Sequence, residues 1–250
     1  MTKLKRMNYV LLIFLVLAGS TWHTDSDKTT RFEPVAVIEL FTSQGCSSCP
    51  AADRLLTKTL KESGKNIMAL SFHVDYWNHL GWADPFSDKA YTKRQYAYAK
   101  QFNSRSVYTP QMVVNGKAQF VGSNEAALKK ALNEATQRTP PANFTALSAS
   151  PASGKVLKVR YQLEGDYQNC QVNFALVSKH ETTAIQRGEN GGRTLSSDNV
   201  VRQFVKVPAK SAGEVLLNDI DSGAIDLSVI AYVQKNDGLR IVGAAKAGIE

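Results

Sequence analysis

The stretch VAVIELFTSQGCSSCPAADRLL, at residues 35–56, decides the fold of this chain. It opens with a short apolar run at 35–41 that only Glu39 interrupts. A run this short, without clean alternation, is typical of a strand buried on both faces. Gly45 supplies a turn, and the serines and proline after it are residue types that begin helices. The stretch therefore predicts a buried strand that turns directly into a helix over residues 47–61.

Cys46 and Cys49 lie where this strand meets the helix. The first turn of a helix has unpaired N–H groups and the positive end of the helix dipole, and both lower the pKa of a cysteine thiol. The two residues between the cysteines allow one helical turn to bring the sulfurs together. We expect Cys46 to be the exposed, attacking thiol, and Cys49, one turn inside the helix, to close a disulfide with it.

A redox pair is the interpretation that this motif favours, and two alternatives stay open. One is a static disulfide, and the other is half of a zinc site. Zinc usually needs a second pair of ligands at similar spacing, which the sequence lacks. The third cysteine, Cys170, stands in an alternating segment and is expected to be a buried free thiol.

Length, composition and charge bound the class of protein. At 250 residues the chain is long enough for two domains, and a hydrophobic content of 43% is ordinary for a globular protein. The formal net charge is +8, but the basic residues form no cluster and no run interleaved with aromatics. We therefore expect a solvated surface and no nucleic-acid partner.

The N-terminus has the pattern of a secretory signal peptide. Basic residues precede an apolar run at 9–18, and small residues follow at 18–20. A membrane anchor would need about 20 apolar residues. We predict a signal peptide at 1–20, a flexible lead-in at 21–33, and a periplasmic or secreted mature protein without stable membrane insertion after cleavage. An uncleaved N-terminal anchor stays open.

The following segments complete a β-α-β, helix, β-β-α order. Residues 67–75 predict a second buried strand, which a βαβ connection places parallel to the first. Ser87 can cap a helix over residues 88–102, and the Asn-Gly pair at 115–116 is a strong hairpin signal. A last helix is expected at 125–137.

A Pro-Pro pair at 140–141 marks a predicted domain boundary. The first domain, 34–139, is α/β. Roughly seven short strands without a strong helix then predict a small β-sandwich domain at 142–250.

One segment of the second domain, residues 180–195, is long, polar and rich in glycine. Long connections without structure are usually functional or disordered. We predict a loop that reaches the face of the first domain carrying the cysteines. There Arg187 and Arg193, which can make charge-assisted hydrogen bonds, would narrow access to a substrate.

Further candidates stand at the end of the second strand, because chemistry in parallel sheets gathers at the carboxyl ends of strands. His73 and Asp75 have a spacing that points both side chains to one face. They are expected either to move protons or bind copper beside the thiols, or to form a hydrogen-bonded pair that holds the next loop. Tyr76 and Trp77 follow, as a substrate wall or as ordinary packing.

The element order with a CxxC motif after the first strand resembles the thioredoxin fold. Cys46 and Cys49 match its redox motif, and Thr109-Pro110 is similar to its cis-proline segment. Glu39 resembles the buried acid that such enzymes place before the motif. The resemblance implies that Glu39 moves the proton for Cys49, and that Pro110, in cis, shapes a substrate groove with Thr109 and keeps metal away.

More closely, residues 35–245 resemble a family of predicted secreted bacterial proteins of unknown function. That family joins a thioredoxin-like domain to a β-rich one. The matching motifs are LFTSQGCSSCP at 40–50, SFHVDYWNHLGWADPF at 71–86, RSVYTPQMVVNG at 105–116 and HETTAIQRGENGGRTL at 180–195. The resemblance implies the fold and assigns no reaction.

These observations lead to one main expectation for function. The protein is expected to be an exported thiol–disulfide oxidoreductase that needs no cofactor and acts on thiols or disulfides of proteins or small molecules. One alternative is a copper-binding or copper-delivery protein, in which Cys46, Cys49 and His73 hold Cu(I), a soft ion that thiolates favour. The other is a non-catalytic binding module with a thioredoxin-like fold.

Overall fold

The computed structural model describes residues 32–218 and 226–250. The predicted signal peptide and most of the lead-in lie outside these residues. These described residues belong to one compact unit. Within the described residues, no helix is long and apolar enough to cross a membrane. The elements in chain order are β1 (Ala36–Thr42), α1 (Cys49–Glu62), β2 (Ile67–His73), α2 (Lys89–Gln101), β3 (Gln111–Val114), β4 (Ala118–Val121), α3 (Glu125–Thr136), β5 (Ala142–Pro151), β6 (Leu157–Gly165), β7 (Cys170–Ala184), β8 (Thr194–Pro208), β9 (Ala212–Leu217), β10 (Leu227–Lys235) and β11 (Ile241–Gly248).

A mixed eight-stranded sheet runs through the described part of the chain in the order β11-β10-β7-β8-β2-β1-β3-β4. As predicted, β1 is buried along its whole length and pairs in parallel with β2, so that Thr42 lies beside His73. The predicted hairpin at Asn115-Gly116 joins β3 and β4. The carboxyl ends of β1 and β2 are therefore neighbours.

The three α-helices of the described residues cover the two faces of β1. Ile38 and Leu40 point to one face, where they pack with α1 and α3. Val37 and Phe41 point to the other face, which α2 covers. The predicted cap of α2 is wrong by one residue, because Asp88 rather than Ser87 accepts a hydrogen bond from a backbone N–H of the first turn. Asn124 caps α3 in the same way.

The second sheet of the described residues is three-stranded and antiparallel, in the order β5-β6-β9. Its side chains pack against β7, β10 and β11 in a second core, with Leu157, Val159, Phe174 and Val229 at its centre. Cys170, at the edge of this core, is a buried free thiol, as predicted. The fold is thus mixed α/β, with one large sheet and few helices.

The regions before and after Pro140-Pro141 share one sheet and one core. β8 pairs in parallel with β2, with Ser71 beside Val200. The core around Phe41 and Phe72 continues into residues of β7, β8 and β10. The chain segment after the predicted boundary is therefore built into the sheet that carries the CxxC turn.

The segment at 180–195 is not the long loop that we predicted. β7 and β8 each have 15 residues, and their pairing continues from His180 beside Asp198 to Ala184 beside Thr194. Only residues 185–193, the hairpin tip, leave the ladder. The polar side chains of this hairpin alternate between exposed and less exposed positions, and such a strand needs no apolar face.

Candidate functional site

The cysteines of the CxxC motif form a disulfide at the junction of β1 and α1. The pairing that we predicted is confirmed. The backbone N–H of Cys46 donates to the Ser43 carbonyl at 3.2 Å, and that of Cys49 donates to the Cys46 carbonyl at 3.2 Å. These two turns place Cys49 at the first position of α1. Ser48, which precedes the helix, leaves the helix uncapped and lies with its Oγ 3.3 Å from the Cys46 Sγ.

Both cysteines are fully buried, with 0% of either residue exposed. The expectation that Cys46 is an exposed thiol is therefore wrong for this disulfide form. The cysteines are buried because a segment outside the CxxC stretch covers them.

The hairpin tip supplies this cover. Asn190, itself buried, donates from Nδ2 to the carbonyl of Gln44 at 2.9 Å and to that of Cys46 at 3.0 Å. Glu189 accepts a hydrogen bond from the Ser47 N–H at 3.0 Å, and hydrogen bonds from Ser47 lower the pKa of Glu189. The prediction that this segment reaches the face with the cysteines is confirmed.

The two arginines that we predicted in this cover take different positions. Arg193 donates from Nη1 to Asn190 Oδ1 at 2.9 Å, so it holds the Asn190 amide in the orientation that serves the two carbonyls. Arg187 is exposed on the tip and forms no hydrogen bond with the described residues around the disulfide. The structure thus joins Arg193 to the site and leaves Arg187 outside it.

Gln44 connects the CxxC turn to two other segments, the loop at residues 82–84 and strand β7. Its backbone N–H donates to Asp84 Oδ2 at 2.8 Å, and its Nε2 donates to Thr183 Oγ1 at 2.9 Å. Its Oε1 accepts from the indole N–H of Trp82 at 3.0 Å. Every polar group of this buried side chain is therefore paired, and the turn is held from several directions at once.

A wall beside Gly45 consists of the predicted aromatic and cis-proline residues Trp77, Thr109 and Pro110. The Thr109–Pro110 bond is cis, as the thioredoxin resemblance implies. The indole N–H of Trp77 donates to Thr109 Oγ1 at 2.8 Å. A Cβ on Gly45 would lie 3.3 Å from the Trp77 Cβ, tighter than most real contacts, which explains a glycine directly before Cys46.

Tyr76 is half-buried beside this wall, and burial raises its pKa to about 12. Its hydroxyl therefore stays protonated at neutral pH. Tyr76 packs with the core that α2 covers, together with Trp77.

His73 and Asp75 do not form the pair that we considered. His73 is 1% exposed, and its Nδ1 lies 2.7 Å from Asp84 Oδ2. Burial opposes a charge on the ring, but the Asp84 carboxylate outweighs it and raises the pKa of His73. Asp75 instead accepts a hydrogen bond from Thr92 Oγ1 at 2.6 Å, because its side chain turns toward α2.

Glu39 is not brought to the thiols. It lies on the face of β1 that α2 covers, whereas α1 packs on the opposite face. Its carboxylate accepts from Arg94 Nε at 2.7 Å and from the hydroxyls of Tyr98 and Tyr232, the latter at 2.9 Å. This fully buried group joins β1, α2 and β10, so we assign it to stability rather than to proton transfer.

Asp53 is a buried acid that the sequence analysis missed. It stands one helical turn after Cys49, and its carboxylate accepts from Thr42 Oγ1 at 3.1 Å and from Ser197 Oγ at 3.3 Å. Burial raises its pKa to about 6. Its place on the apolar face of α1, between Cys49 and Leu56, is the signal that points to it.

The described residues contain no group of three His, Cys, Asp or Glu side chains placed to hold one metal ion. His73 is engaged by Asp84 rather than gathered with the cysteines. Nothing in this geometry favours the copper alternative over the redox one.

The chain matches a family described as "Protein of unknown function (DUF1223)" over residues 37–234, and it belongs to that family. No curated protein matches it.

Two solved structures are similar to it. One is the crystal structure of a protein from Agrobacterium tumefaciens, with 28% identity, a TM-score of 0.65, and coverage of 86% of this chain and 94% of that one. The other is HBP35 of Porphyromonas gingivalis, with 14% identity, a TM-score of 0.62, and coverage of 87% of this chain and 76% of that one. At that identity, the second likeness concerns the fold alone.

Proposed function

We propose that this member of the DUF1223 family is an exported thiol–disulfide oxidoreductase that works through Cys46 and Cys49. The observation that carries the proposal is the position of their disulfide. It lies where a buried strand meets the first turn of α1, under the hairpin tip, whose Asn190 donates to the Cys46 carbonyl. A helix N-terminus stabilises a thiolate, which is the reactive form of a cysteine.

The arrangement of the first elements supports a thioredoxin-like interpretation of the region around the motif. Four neighbouring strands follow the order β2-β1-β3-β4, with β1 parallel to β2 and antiparallel to β3. α1 and α3 pack on one face of β1, and α2 packs on the other. This is the β-α-β, helix, β-β-α order on which the resemblance to thioredoxin rests.

The proposed reaction is an exchange of one disulfide for another. In the reduced protein, the Cys46 thiolate attacks one sulfur of a substrate disulfide, a mixed disulfide forms, and one substrate thiolate leaves. Cys49 loses its proton and attacks Cys46, which releases the second substrate thiolate. The substrate gains two electrons, and the protein loses two as Cys46–Cys49 forms. A substrate dithiol drives the same steps in reverse.

The buried state of the disulfide requires the hairpin tip to move before a substrate can reach Cys46. The tip is held on the CxxC turn by the hydrogen bonds of Asn190 and Glu189. Each contributes about 0.5–1.5 kcal/mol, and somewhat more where the carboxylate is involved. Such a cover can open at a cost of a few kcal/mol, within the range of local opening in folded proteins.

The proposal places the protein outside the cytoplasm, where disulfides persist. The signal-peptide pattern at the N-terminus and the Cys46–Cys49 disulfide both support this location. Its partners would be thiols and disulfides of proteins or small molecules. The scattered positive charge favours no nucleic acid.

A test of the proposal follows the exchange reaction directly. The reduced protein is mixed with a disulfide-bonded peptide, and the released peptide thiols are measured over time. Cys46→Ser should abolish release, and Cys49→Ser should accumulate a peptide adduct of Cys46 in mass spectra. The matched control, Cys170→Ser, should react like the wild type. Release by the wild type no faster than by Cys46→Ser would overturn the proposal.

A further inference from the structure

A cavity of about 290 Å³ lies between α1 and the start of β8. Its size is at the lower end of small-molecule sites, which are about 300–1,000 Å³. Ser43, Gln44 and Pro50 border it on the side of the CxxC turn, but neither cysteine lines it. It is therefore distinct from the disulfide and needs an explanation of its own.

A buried histidine lines this cavity with an unsatisfied ring nitrogen. His73 is 1% exposed, its Nδ1 is engaged by Asp84 at 2.7 Å, and its Nε2 has no hydrogen-bond partner within the described residues. Leaving a buried polar atom unpaired costs free energy, so native structures rarely do it without a reason. The Asp84 carboxylate accepts from Nδ1–H and fixes the ring, so Nε2 can donate to an anion only when the ring is protonated.

Two arginines add positive charge to the same cavity. Arg54, on α1, and Arg193, at the base of the hairpin tip, both line it. Arg94, Arg160 and Arg202 are the arginines that pair with carboxylates in the described structure, so neither cavity arginine is neutralised there. Guanidinium groups favour planar or tetrahedral oxyanions, to which they can donate two hydrogen bonds.

The remaining charged groups around the cavity are few. His180 lines it from β7, and its Nδ1 lies 2.6 Å from Asp198 Oδ1. Asp53 is the one carboxylate among the lining residues, and the raised pKa of about 6 allows it to take up a proton under mild conditions. Three further carboxylates lie near the two histidines without lining the cavity. Asp84 and Glu181 are near His73, and Asp198 is beside His180.

We propose that this cavity binds a small oxyanion, a carboxylate or a sulfate- or phosphate-like group, with Arg54, Arg193 and the Nε2–H of the protonated His73 ring as its donors. Neither cysteine lines the cavity, so binding of the anion does not require the redox reaction. Asp53 repels the anion when ionised and accommodates it when protonated. Binding should therefore be coupled to the uptake of a proton.

The test is isothermal titration calorimetry of the purified full-length protein with sodium sulfate and, separately, sodium acetate. Both anions keep a fixed charge between pH 5.5 and pH 8, which is about the window needed to titrate Asp53. Saturable binding of one ion per chain is expected for at least one of them. Sulfate alone would identify a tetrahedral group, acetate alone a carboxylate, and both together a site that accepts either.

Variants locate the binding. Arg54→Gln should weaken the affinity about tenfold or more, which is the effect of losing one charge-assisted hydrogen bond. Arg105→Gln, an exposed residue outside the cavity lining, changes the net charge equally and should leave the affinity unchanged. Equal affinity in wild type and Arg54→Gln, or the absence of saturable binding of both anions, would overturn the proposal.

The pH dependence provides a second readout. In the wild type, the affinity should fall by up to about tenfold for each pH unit above 6, as Asp53 ionises. Asp53→Asn should bind the anion at pH 8 more tightly than the wild type and should show a weaker pH dependence, with the remainder due to loss of the His73 Nε2 proton. A wild-type affinity that rises with pH would contradict the role of Asp53 and the proposed anion.

Discussion

Asn190 donates a hydrogen bond of 3.0 Å to the carbonyl of Cys46, across 144 positions of sequence. The same amide donates to the Gln44 carbonyl at 2.9 Å. These two bonds hold the hairpin tip over a disulfide that is fully buried. The access of a substrate to Cys46 therefore depends on a side chain that lies in the second half of the chain.

Asn190→Ala should speed the alkylation of Cys46 in the reduced protein by about tenfold or more, because two hydrogen bonds that close the tip are lost. The measurement is the rate of iodoacetamide labelling at Cys46, followed by peptide mapping. Asn236→Ala is the control. Asn236 follows β10, and its Nδ2 donates to Asn169 Oδ1, so this bond involves neither the CxxC turn nor the hairpin tip. Equal rates in the wild type and Asn190→Ala would show that the tip does not limit access.

Cys46 should be the first thiol to react when the reduced protein is labelled with limiting iodoacetamide. Cys46 lies just before the first turn of α1, where a thiolate is favoured, whereas Cys49 is the first residue inside the helix. Burial raises the pKa of Cys170, so this thiol should react slowest. Earlier labelling of Cys49 or Cys170 would contradict the proposed geometry.

Gln44→Ala should lower the free energy of unfolding by about 2–4 kcal/mol, because the buried Gln44 side chain is lost and the partly buried groups of Trp82 and Thr183 lose their partners. Urea denaturation measures this change. Gln137→Ala is the matched control, since the Gln137 amide bonds only to Asn133 at the exposed end of α3. It should change stability by less than about 0.5 kcal/mol. A similarly small loss of stability in Gln44→Ala would mean that the hydrogen bonds of the Gln44 side chain are dispensable for folding.

Asp53 should make the protein less stable as the pH rises from 4 to 7. Its pKa is raised from 3.8 to about 6 in the folded state, so the folded protein binds the proton more tightly than the unfolded chain does. This contribution is fully present below pH about 4 and is lost as the pH passes about 6, which amounts to at most about 3 kcal/mol.

Asp53→Asn removes this titration. The stability of the variant relative to the wild type should therefore increase between pH 4 and pH 7, as measured by urea denaturation at each pH. Other titrating groups, His73 and Asp84 among them, are present in both proteins, so the difference reports Asp53. A difference that does not change with pH would show that Asp53 titrates normally.

Much of the sheet around the disulfide could be predicted from the sequence, because the signals there are local. The apolar run at 35–41, the CxxC turn, and the Asn-Gly pair at 115–116 each specify a structure within a few residues. The pairing of β2 with β8 could not be predicted, since it joins Ser71 to Val200 and has no local signal. The pairing of β7 with β8 beyond His180 was also missed, because the residues of these strands are polar there and give no hydrophobic pattern.

The residues of the candidate site also divide into those with a local sequence signal and those without one. Cys46, Cys49 and Pro110 were found because their residue types and spacing are unusual. Gln44 was not singled out, because a polar residue becomes a site residue only through its partners. Those partners lie far away in sequence: Gln44 bonds to Asp84 across 40 positions and to Thr183 across 139.

The central claim is that Cys46 and Cys49 form a reversible redox pair. The most direct measurement is their thiol content after equilibration in buffers of increasing ratio of reduced to oxidised glutathione, read by alkylation and mass spectrometry. The account predicts that two thiols at these positions appear together along one two-electron transition, which Cys170→Ser leaves unchanged. Two thiols that stay free in air, or a disulfide that resists reduction in the native protein and opens only on unfolding, would contradict it.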